Sequence, residues 1–490
     1  MKYNTIIVGG GIAGLYTALQ LTKKYPHQKI LLLEKNPDLG GRIYTYSDKY
    51  MTVEAGAGRI SDEHTLTLHL IHQLGLSSQL KKASTDVVYA PSDHTDSAFG
   101  SVLDAPNSPA DSGIFTRLML NSISPTVIKH IMDTALGGMT IPNAALVATV
   151  IAAGKLETRE TLQTLSFIQF AKKVLTEEQI QFIIDSFGYY SELVVMNAYD
   201  ALELMNALGP NHTFYIMSGG LSKIVFQIEK ILKQKKVDIL TQTEVTSIEY
   251  LMGGEGTSVP GTQEHPSNGI FHITYRTTRG KQKQIKRVEC NTCICALPKW
   301  ALEKIPIFQS DRRVIKDIQS VYCGALCRIY TTFPATTNTP SEKSNTSKSP
   351  KKVWFEGFPK MTTNNEIRMI IPIDTSKGVI MISYTDNKFA DFWKKLYDRK
   401  GEKAVNEKLQ KLIAESLDIK IPVPQHTQVF YWNCGVGYWK IGVNSKEVSE
   451  RMIHPFPPIP LFVCGENYSE KRQQWIEGAI ETSCNVLELI

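Results

Sequence analysis

The sequence predicts a mixed α/β protein with one doubly wound sheet and a second domain built from a sheet and helices. Three observations favour this fold class: the chain opens with a buried strand, a glycine-rich turn and a helix; strand patterns return after a long helical region; and the last residues again show a strand, a turn and a helix. With 490 residues, the chain is long enough for two or three domains with their own cores.

The first unit consists of a strand, a helix and a second strand. The apolar run from Thr5 to Gly9 predicts a buried strand, Gly11 to Lys24 shows helical periodicity, and Lys29 to Glu34 predicts a second buried strand. This order is typical of the parallel part of a doubly wound sheet.

The turn between the first strand and the helix carries a phosphate-binding pattern. Gly9, Gly11 and Gly14 match G-x-G-x-x-G, and Glu34 follows 20 positions after Gly14 at the end of the second strand. Such glycines let the backbone approach a pyrophosphate at the helix N-terminus, and the acidic residue accepts hydrogen bonds from a ribose. The alternative is a glycine turn in an unrelated α/β unit.

Two further segments suit a dinucleotide. Gly40, Gly41 and Arg42 combine a close backbone approach with a cation that can bind phosphate oxygens in a fork, although a surface turn with an exposed arginine is the alternative. The small residues of Val53 to Arg59 can lie close to a flat ring.

The C-terminal segment repeats the strand, turn and helix order. A strand from Leu461 to Cys464 is followed by Gly465 and Glu466, and a helix is predicted from Trp475 to Leu489. The N-terminus of a helix stabilises a negative charge on a bound group, such as the charge that a flat ring system gains when it is reduced. A terminal core helix is the alternative.

The remaining chain divides into helical and strand-rich regions. Thr116 to Leu208 is mostly helical, and Asn338 to Lys352 has the composition of a mobile surface loop. The other predicted elements are strands in Lys236 to Ile248, a hairpin in Gly269 to Leu297 around Arg279 and Gly280, strands in Val353 to Trp393, and a helix in Ala404 to Leu417.

Composition argues against several classes of protein. The net charge is only +6, and the basic residues Lys281, Lys283, Lys286 and Arg287 lack an accompanying aromatic motif, so we expect no nucleic-acid binding. Cys290, Cys293 and Cys295 lack a second cluster or a nearby histidine, so we expect buried thiols and no metal site. The scattered cysteines fit a reducing compartment. Because no signal segment or run of 18 apolar residues occurs, we expect a cytoplasmic protein without a membrane span.

Taken together, these segments resemble the flavin-dependent amine oxidase superfamily, which includes monoamine, polyamine and L-amino acid oxidases. The resemblance extends from Lys2 to the C-terminus in spaced blocks and is weak from about His64 to Leu208. The blocks are GGGIAGL, LLEKNPDLGGRI, EAGAGRI, MSGGLSKIV, TEVTSIEY, CICALP and CGENYSEKRQQWIEGAIETS. Their order is specific, whereas no single block is.

The resemblance implies FAD as the cofactor, bound in a doubly wound domain of the glutathione-reductase-like type. It implies cofactor contacts for Gly9, Gly11, Gly14, Glu34, Lys35, Gly41, Arg42, Gly58, Arg59, Val245, Gly465, Glu466, Trp475 and Ile476. The cysteine that binds flavin covalently in monoamine oxidases has no aligned counterpart, because Cys434 lies too close to Trp432. We therefore expect non-covalent FAD, and we expect Trp432 to pack in the core.

The resemblance also implies a substrate site. Aromatic side chains flank the substrate nitrogen in this superfamily; Trp475 matches one position, and Tyr438 or Trp439 is the candidate for the other. Arg328 aligns with the family's catalytic lysine, and an arginine is a poor proton acceptor. The catalytic candidates are Arg328, Trp475, Tyr438 and Trp439, and the substrate-binding candidates are Arg59, Trp475 and Tyr438.

Arg59 decides between substrate classes. It aligns with the arginine that binds the substrate carboxylate in L-amino acid oxidases, but the supporting tyrosine before a proline is replaced by Ile371 before Pro372. The carboxylate site is thus half present. An ion pair of Arg59 with Asp62 or Glu63 is an equally weighted alternative.

The resemblance therefore implies FAD-dependent oxidation of an amine, with an L-amino acid as the first expectation. Hydride transfer to flavin N5 would give an imine, and reoxidation by oxygen would give hydrogen peroxide. A polyamine or monoamine oxidase is the alternative; carotenoid desaturases and protoporphyrinogen oxidases share the cofactor blocks. A flavin-binding protein without oxidase turnover is the alternative of another class. The expected domains are a discontinuous FAD domain (1–60, 211–300 and 455–490), a helical part (61–210) and a sheet-based substrate domain (301–454).

Overall fold

The computed structural model describes residues 2–83, 87–90, 141–207, 212–252, 269–279, 282–335 and 352–490. The strands are β1 (Lys2–Val8), β2 (Ile30–Leu33), β3 (Thr45–Ser47), β4 (Thr52–Glu54), β5 (Ile60–Ser61), β6 (Leu80–Lys82), β7 (Val87–Tyr89), β8 (Phe214–Met217), β9 (Asp238–Leu240), β10 (Thr243–Leu251), β11 (Ile270–Arg279), β12 (Gln282–Cys295), β13 (Val321–Thr332), β14 (Lys360–Thr362), β15 (Met369–Asp374), β16 (Val379–Asp386), β17 (His426–Trp439) and β18 (Leu461–Val463).

The helices alternate with these strands in the N-terminal and C-terminal parts and cluster between them. They are α1 (Ile12–Lys24), α2 (Thr65–Gln73), α3 (Ile141–Gly154), α4 (Arg159–Gln163), α5 (Phe167–Ala171), α6 (Glu177–Ser186), α7 (Tyr190–Val194), α8 (Ala198–Ala207), α9 (Ser222–Gln234), α10 (Lys299–Leu302), α11 (Pro306–Gln309), α12 (Arg312–Gln319), α13 (Asn387–Leu417), α14 (Ser445–Ile453) and α15 (Ile476–Leu489).

The first sheet has the order β10-β11-β12-β1-β2-β9, and β18 also pairs with β12. The pairs around β1 are parallel, whereas β10, β11 and β12 are antiparallel. Its strands β1 and β2 are apolar over most of their length because α1, α9 and α15 cover one face and a second core cluster covers the other. This arrangement confirms the predicted mixed α/β class.

The second sheet has the order β17-β13-β16-β15-β14-β7 and is antiparallel except between β14 and β7. Helix α13 packs against one face and buries Trp393, Val405 and Leu409 there. Helices α3 to α8 form a separate apolar cluster beside this sheet. The predicted helical region is thus confirmed for residues 141–207, and residues 116–140 lie outside the described chain.

Helix α13 corrects one prediction. Strands were expected as far as Trp393, but the last strand ends at Asp386 and the helix begins at Asn387. The aromatic residues of this stretch lie on the helix face that packs against the second sheet. Their spacing in the sequence therefore resembles the alternation of buried and exposed residues in a strand. Gly401 interrupts the helix with φ 73°, which explains why only its second half shows clear helical periodicity. Of the predicted loop from Asn338 to Lys352, all residues except Lys352 lie outside the described chain.

The cysteines also correct the sequence analysis. Cys290, Cys293 and Cys295 are buried in β12, as expected. Cys323 and Cys434, however, form a disulfide between β13 and β17, with a Cα–Cα distance of 4.8 Å. Their separation of 111 residues hides the pair in the sequence, whereas the antiparallel pairing of the two strands brings them together.

Of the helices in the described ranges, none combines the length and the hydrophobicity that crossing a bilayer requires.

Candidate functional site

The glycine turn after β1 shows which glycines the backbone needs and which face open space. A Cβ on Gly9, where φ is 110°, would lie 2.3 Å from the carbonyl oxygen of Ala296, and one on Gly14 would lie 2.0 Å from that of Gly9. A Cβ on Gly11 would meet no atom within 4 Å. Gly9 and Gly14 therefore serve the packing of the turn, whereas Gly11 leaves room in front of the N-terminus of α1, where backbone amides favour an anion.

Glu34 is fixed at the end of β2 beside this turn. Its Oε2 accepts a hydrogen bond from Gly10 N at 2.7 Å, and its Oε1 accepts one from Asn36 N at 2.7 Å. Each carboxylate oxygen has a further lone pair, so Glu34 can accept additional bonds from a ribose. The neighbouring Lys35 is an exposed ion-pair partner of Glu244, with an Nζ–Oε1 distance of 3.2 Å.

Val245 follows Glu244 in β10 and is partly buried against the core of the first sheet. Its backbone pairs with Tyr275, and the register of β10 and β11 shifts directly after it. Thr243, two residues before Val245, donates its backbone N–H to the carbonyl oxygen of Glu34 at 2.8 Å. Val245 therefore lies close to the end of β2 that carries Glu34.

The second glycine turn touches the first. A Cβ on Gly41 would lie 3.3 Å from the Cα atom of Gly11, so the two turns form one narrow wall. The guanidinium of Arg42, the expected phosphate ligand, is also held by two protein oxygens. Its Nη1 donates to the carbonyl oxygen of Gly435 at 3.1 Å and pairs with Glu466 Oε1 at 2.5 Å. Within the described chain these bonds use only Nη1, which leaves the other edge of the guanidinium for an anion.

The side chain of Glu466 connects its own turn to two other segments through hydrogen bonds. It is buried, its Oε1 pairs with Arg42, and its Oε2 accepts a bond from Gln474 N at 2.7 Å. Gly465 N donates to Thr482 Oγ1 at 2.9 Å, which joins this turn to α15. The side chain of Glu466 is therefore a structural junction, and only its backbone remains for the contact that the sequence implied.

These residues fit a bound dinucleotide. The space in front of Gly11, the anchored carboxylate of Glu34 and the unused edge of Arg42 supply room for a pyrophosphate, an acceptor for a ribose and a cation for a phosphate. Ile476 is buried as the first residue of α15, whose N-terminus follows Trp475.

The small-residue segment before Arg59 is held by side chains of the second sheet. Arg328 Nη1 donates to the carbonyl oxygen of Glu54 at 2.8 Å and also to that of Gly56. Tyr330 Oη donates to the carbonyl oxygen of Glu54 at 2.7 Å. A Cβ on Gly58 would lie 3.4 Å from Arg328 Nη1. Arg328 thus anchors the segment, a role that a lysine with one nitrogen could fill only in part.

Arg328 is partly exposed and also contacts Tyr384. Its Cζ lies 4.5 Å from the centre of the Tyr384 ring, and its Nη2 donates to Tyr384 Oη at 3.4 Å. Trp432 corrects the expectation of core packing: it is half-buried, and its Nε1 donates to the carbonyl oxygen of Ala55 at 2.6 Å.

Arg59 lies among aromatic rings. Its Cζ is 4.5 Å from the centre of the Phe214 ring and 5.7 Å from that of Trp475. Its Nη2 donates a long hydrogen bond of 3.4 Å to Tyr189 Oη. Among the residues that the structure describes, Arg59 has no carboxylate within ion-pair distance.

The alternative partners of Arg59 are engaged elsewhere. Asp62 accepts a bond from Thr213 N at 2.8 Å and pairs with His212 Nδ1 at 3.3 Å. Glu63 pairs with His212 Nε2 at 3.2 Å and with Arg472 Nη2 at 3.5 Å. The ion-pair interpretation of Arg59 is therefore wrong for both carboxylates.

Tyr438 is as fully buried as Trp439, but the two side chains lie in different core clusters. The Trp475 ring is 4.6 Å from that of His64 and packs against the helical core cluster that contains Tyr438. Trp439 is fully buried in the core of the first sheet, and its Nε1 donates to the carbonyl oxygens of Ser469 and Glu470 at 3.2 and 3.1 Å. Because successive strand residues point to opposite faces, Tyr438 and Trp439 cannot both flank a substrate, and Trp439 is a core residue.

Three titratable groups near Arg59 have shifted pKa values. Burial, followed by the charges of Arg472 and Arg59, lowers the pKa of His64 to about 3, so its imidazole is neutral. Burial, followed by nearby Asp386, raises the pKa of Glu192 to about 8, although Arg59 opposes this shift. Burial, followed by Arg59, lowers the pKa of Lys360 to about 7. All three environments disfavour the charged form.

The sequence analysis missed Tyr189, Glu192, Lys360 and Tyr384. The first two lie in the region where the family resemblance is weak, and the other two lie on strands whose order in the sheet the sequence does not reveal. The aromatic run Phe187, Gly188, Tyr189 and Tyr190 was the available signal for the first pair.

The comparisons with known proteins agree with this geometry. A family model described as flavin containing amine oxidoreductase matches residues 12–488. The fold and the dinucleotide site define a flavin-dependent oxidoreductase. The chain belongs to the family of flavin-containing amine oxidoreductases, as its resemblance predicted.

Individual relatives are distant. An uncharacterised protein of Acanthamoeba polyphaga mimivirus is 19% identical over 519 residues, which cover 99% of this chain and 93% of that protein. The flavin-dependent L-tryptophan oxidase RebO of Lentzea aerocolonigenes is 36% identical over 104 residues, which cover 20% of this chain and 22% of RebO. The solved structure of wild-type putrescine oxidase bound to putrescine has a TM-score of 0.65 at 15% identity and covers 100% of this chain and 99% of that one. Identity at this level shows the fold alone.

Proposed function

We propose that the protein uses non-covalently bound FAD to oxidise an amine that also carries a carboxylate, most simply an L-amino acid. The observation that carries this proposal is Arg59. Its guanidinium lies beside Trp475 and has no carboxylate partner among the described residues. A guanidinium that no carboxylate already neutralises favours one that can accept paired hydrogen bonds.

The chain's own residues would position such a substrate. Arg59 binds the carboxylate, Trp475 supplies an apolar and electron-rich face for the amino group, and neutral His64 behind Trp475 adds no repelling charge. Arg328 holds the small-residue segment and contributes a fixed positive charge near Tyr384. When bound, the flavin supplies the acceptor for a hydride from the substrate Cα, and oxygen is the proposed final acceptor, giving hydrogen peroxide.

Two features support a dissociable cofactor. Cys434, the cysteine nearest in sequence to the family's covalent position, is engaged in the disulfide with Cys323. The residues that would hold the dinucleotide, Glu34 and Arg42, would do so through hydrogen bonds and charge, without a covalent link. Acid precipitation should therefore release FAD from the protein; FMN, or flavin that remains with the precipitate, would contradict the cofactor assignment.

The substrate class is tested by comparing one amino acid with its own decarboxylation product in wild type and Arg59→Ala. If Arg59 binds the carboxylate, Arg59→Ala should lower kcat/KM for the amino acid at least about tenfold, or about 1.4 kcal/mol, and affect the amine much less. The double ratio of the four rates isolates the interaction between the carboxylate and Arg59.

Arg159→Ala is the matched control. Arg159 also lies over an aromatic ring, with its Cζ 4.5 Å from the centre of Tyr199, but it already pairs with Glu470 at 3.2 Å. A double ratio near one for Arg59→Ala would remove the amino acid proposal and favour a monoamine or polyamine oxidase. Absence of flavin reduction by any amine under anaerobic conditions would favour a flavin-binding protein without turnover.

A further inference from the structure

The disulfide between Cys323 and Cys434 lies where the pairing of β13 with β17 is interrupted. The register shifts directly after Gly324, so residues 433–435 of β17 stand opposite the single residue Ala325. We call residues 433–435 the bulge. Because a bulge disrupts the ladder of hydrogen bonds locally, the disulfide is a covalent link between the two strands at the place where their regular pairing stops.

The bulge and the residue before it contact both glycine-rich segments of the dinucleotide site. The carbonyl oxygen of Gly435 accepts a hydrogen bond from Arg42 Nη1 at 3.1 Å, and Arg42 is the expected phosphate ligand. Trp432, directly before the bulge, donates from Nε1 to the carbonyl oxygen of Ala55 at 2.6 Å. Without Gly435, the guanidinium of Arg42 is held by Glu466 alone, so the position of the bulge helps to set the direction in which Arg42 points.

A reductant can approach the disulfide from the Cys323 side, because Cys323 is partly exposed whereas Cys434 is buried. A thiolate of a dithiol attacks the sulfur of Cys323, and Cys434 leaves and takes up a proton. The second thiol of the reductant then displaces Cys323 from the mixed disulfide. Both cysteines end as thiols, and the dithiol, which has lost two electrons and two protons, ends as a disulfide.

We propose that the disulfide between Cys323 and Cys434 is a redox-sensitive modification site that controls how tightly the protein holds FAD. In the oxidised state the bulge is fixed and Arg42 points towards the phosphate. Reduction by a dithiol frees the bulge, Arg42 loses its bond to Gly435, and FAD dissociates more readily. The inference rests on the FAD part of the proposed function and is independent of the substrate.

The test measures the Kd for FAD in both redox states. The FAD-loaded protein is diluted stepwise with and without dithiothreitol, and the fluorescence of the released FAD gives each Kd. Alkylation followed by mass spectrometry checks that reduction converts Cys323 and Cys434 into thiols. A hydrogen bond to a charged group contributes more than about tenfold to binding, and the freed bulge loses part of this contribution, so reduction should raise the Kd at least about fivefold. Reoxidation should restore the lower Kd.

Three variants separate the disulfide from other effects of the reductant. Cys434→Ser should have the higher Kd of reduced wild type with or without dithiothreitol; if it does not fold, Cys323→Ser takes its place. Cys484→Ser is the matched control, because it removes a partly exposed thiol outside the disulfide, and it should respond to reduction as wild type does. Arg42→Met lacks the group through which the bulge acts, so reduction should change its Kd less than about twofold.

The inference is overturned if the oxidised and reduced proteins bind FAD with the same Kd, or if dithiothreitol leaves the disulfide intact. It is also overturned if Arg42→Met shows the full response to reduction, because the disulfide then stabilises the fold without acting through Arg42. Failure of the proposed function looks different. FMN, or flavin that remains with the acid-precipitated protein, contradicts the cofactor assignment itself, whereas released FAD with an unchanged Kd contradicts only the role of the disulfide.

Discussion

Glu192→Gln should stabilise the protein increasingly as the pH rises. Glu192 is 3% exposed, and its Oε2 has no hydrogen-bond partner among the described residues. Burial and Asp386 raise the pKa of Glu192 from 4.5 to about 8. Between these two values the folded protein keeps a proton that the unfolded chain has lost, so the free energy of unfolding falls as the pH rises.

The magnitude follows from the size of the shift. One pKa unit corresponds to about 1.4 kcal/mol, so a shift from 4.5 to about 8 costs the folded state about 3–5 kcal/mol at pH 8 and above, and almost nothing below pH 4. Glutamine has nearly the shape of the protonated acid and cannot ionise. The difference in stability between Glu192→Gln and wild type should therefore grow by about 1.4 kcal/mol per pH unit within this window.

Urea unfolding of the FAD-loaded protein between about pH 5 and pH 9 measures this difference. Glu203→Gln is the matched control, because Glu203 lies on the next helix, α8, and is exposed. The free energy of unfolding of Glu203→Gln should change with pH in the same way as that of wild type. Parallel curves for Glu192→Gln as well would refute the argument that Glu192 is buried without compensation.

Three further predictions concern the cofactor and the aromatic face. Gly11→Ala should fold but bind FAD weakly, because its Cβ enters the open space in front of α1. Gly14→Ala should not fold, because its Cβ would lie 2.0 Å from the carbonyl oxygen of Gly9. Equal FAD content in Gly11→Ala and wild type would contradict the pyrophosphate position. Glu34→Ala should weaken FAD binding by one or two charge-assisted bonds of about 1.5–3 kcal/mol each, measured by titration of the apoprotein, and an unchanged Kd would exclude the ribose contact. Trp475→Ala should impair flavin reduction far more than FAD retention; release of FAD with activity per flavin intact would make Trp475 a core residue.

The nucleotide-binding elements could be predicted from sequence because their chemistry is local. The turn from Gly9 to Gly14 and the acidic end of β2 at Glu34 lie within one strand–helix–strand unit, so spacing alone indicates their arrangement. The final helix was predicted to begin at Trp475 and begins at Ile476. This start could be predicted because it also depends on the local sequence.

The substrate side could be predicted only in part because its residues meet through long-range strand pairing. Arg328 could be aligned, but its bonds to the Glu54–Gly56 backbone depend on how the second sheet packs against the end of β4, which pairs with β3. The choice between Tyr438 and Trp439 depends on the register of β17 with β13.

The pairing of β18 with β12 has a consequence for biosynthesis. β1, β2 and β12 leave the ribosome well before Leu461–Val463, so the first sheet has an unfilled position beside Cys293–Cys295 until β18 emerges. Glu477 of the last helix also caps the start of α2, accepting bonds from Leu66 N and Thr67 N at 3.0 and 2.9 Å. The N-terminal unit therefore completes its fold only after the last helix emerges, and nascent chains stalled before that point should be sensitive to protease and dependent on chaperones.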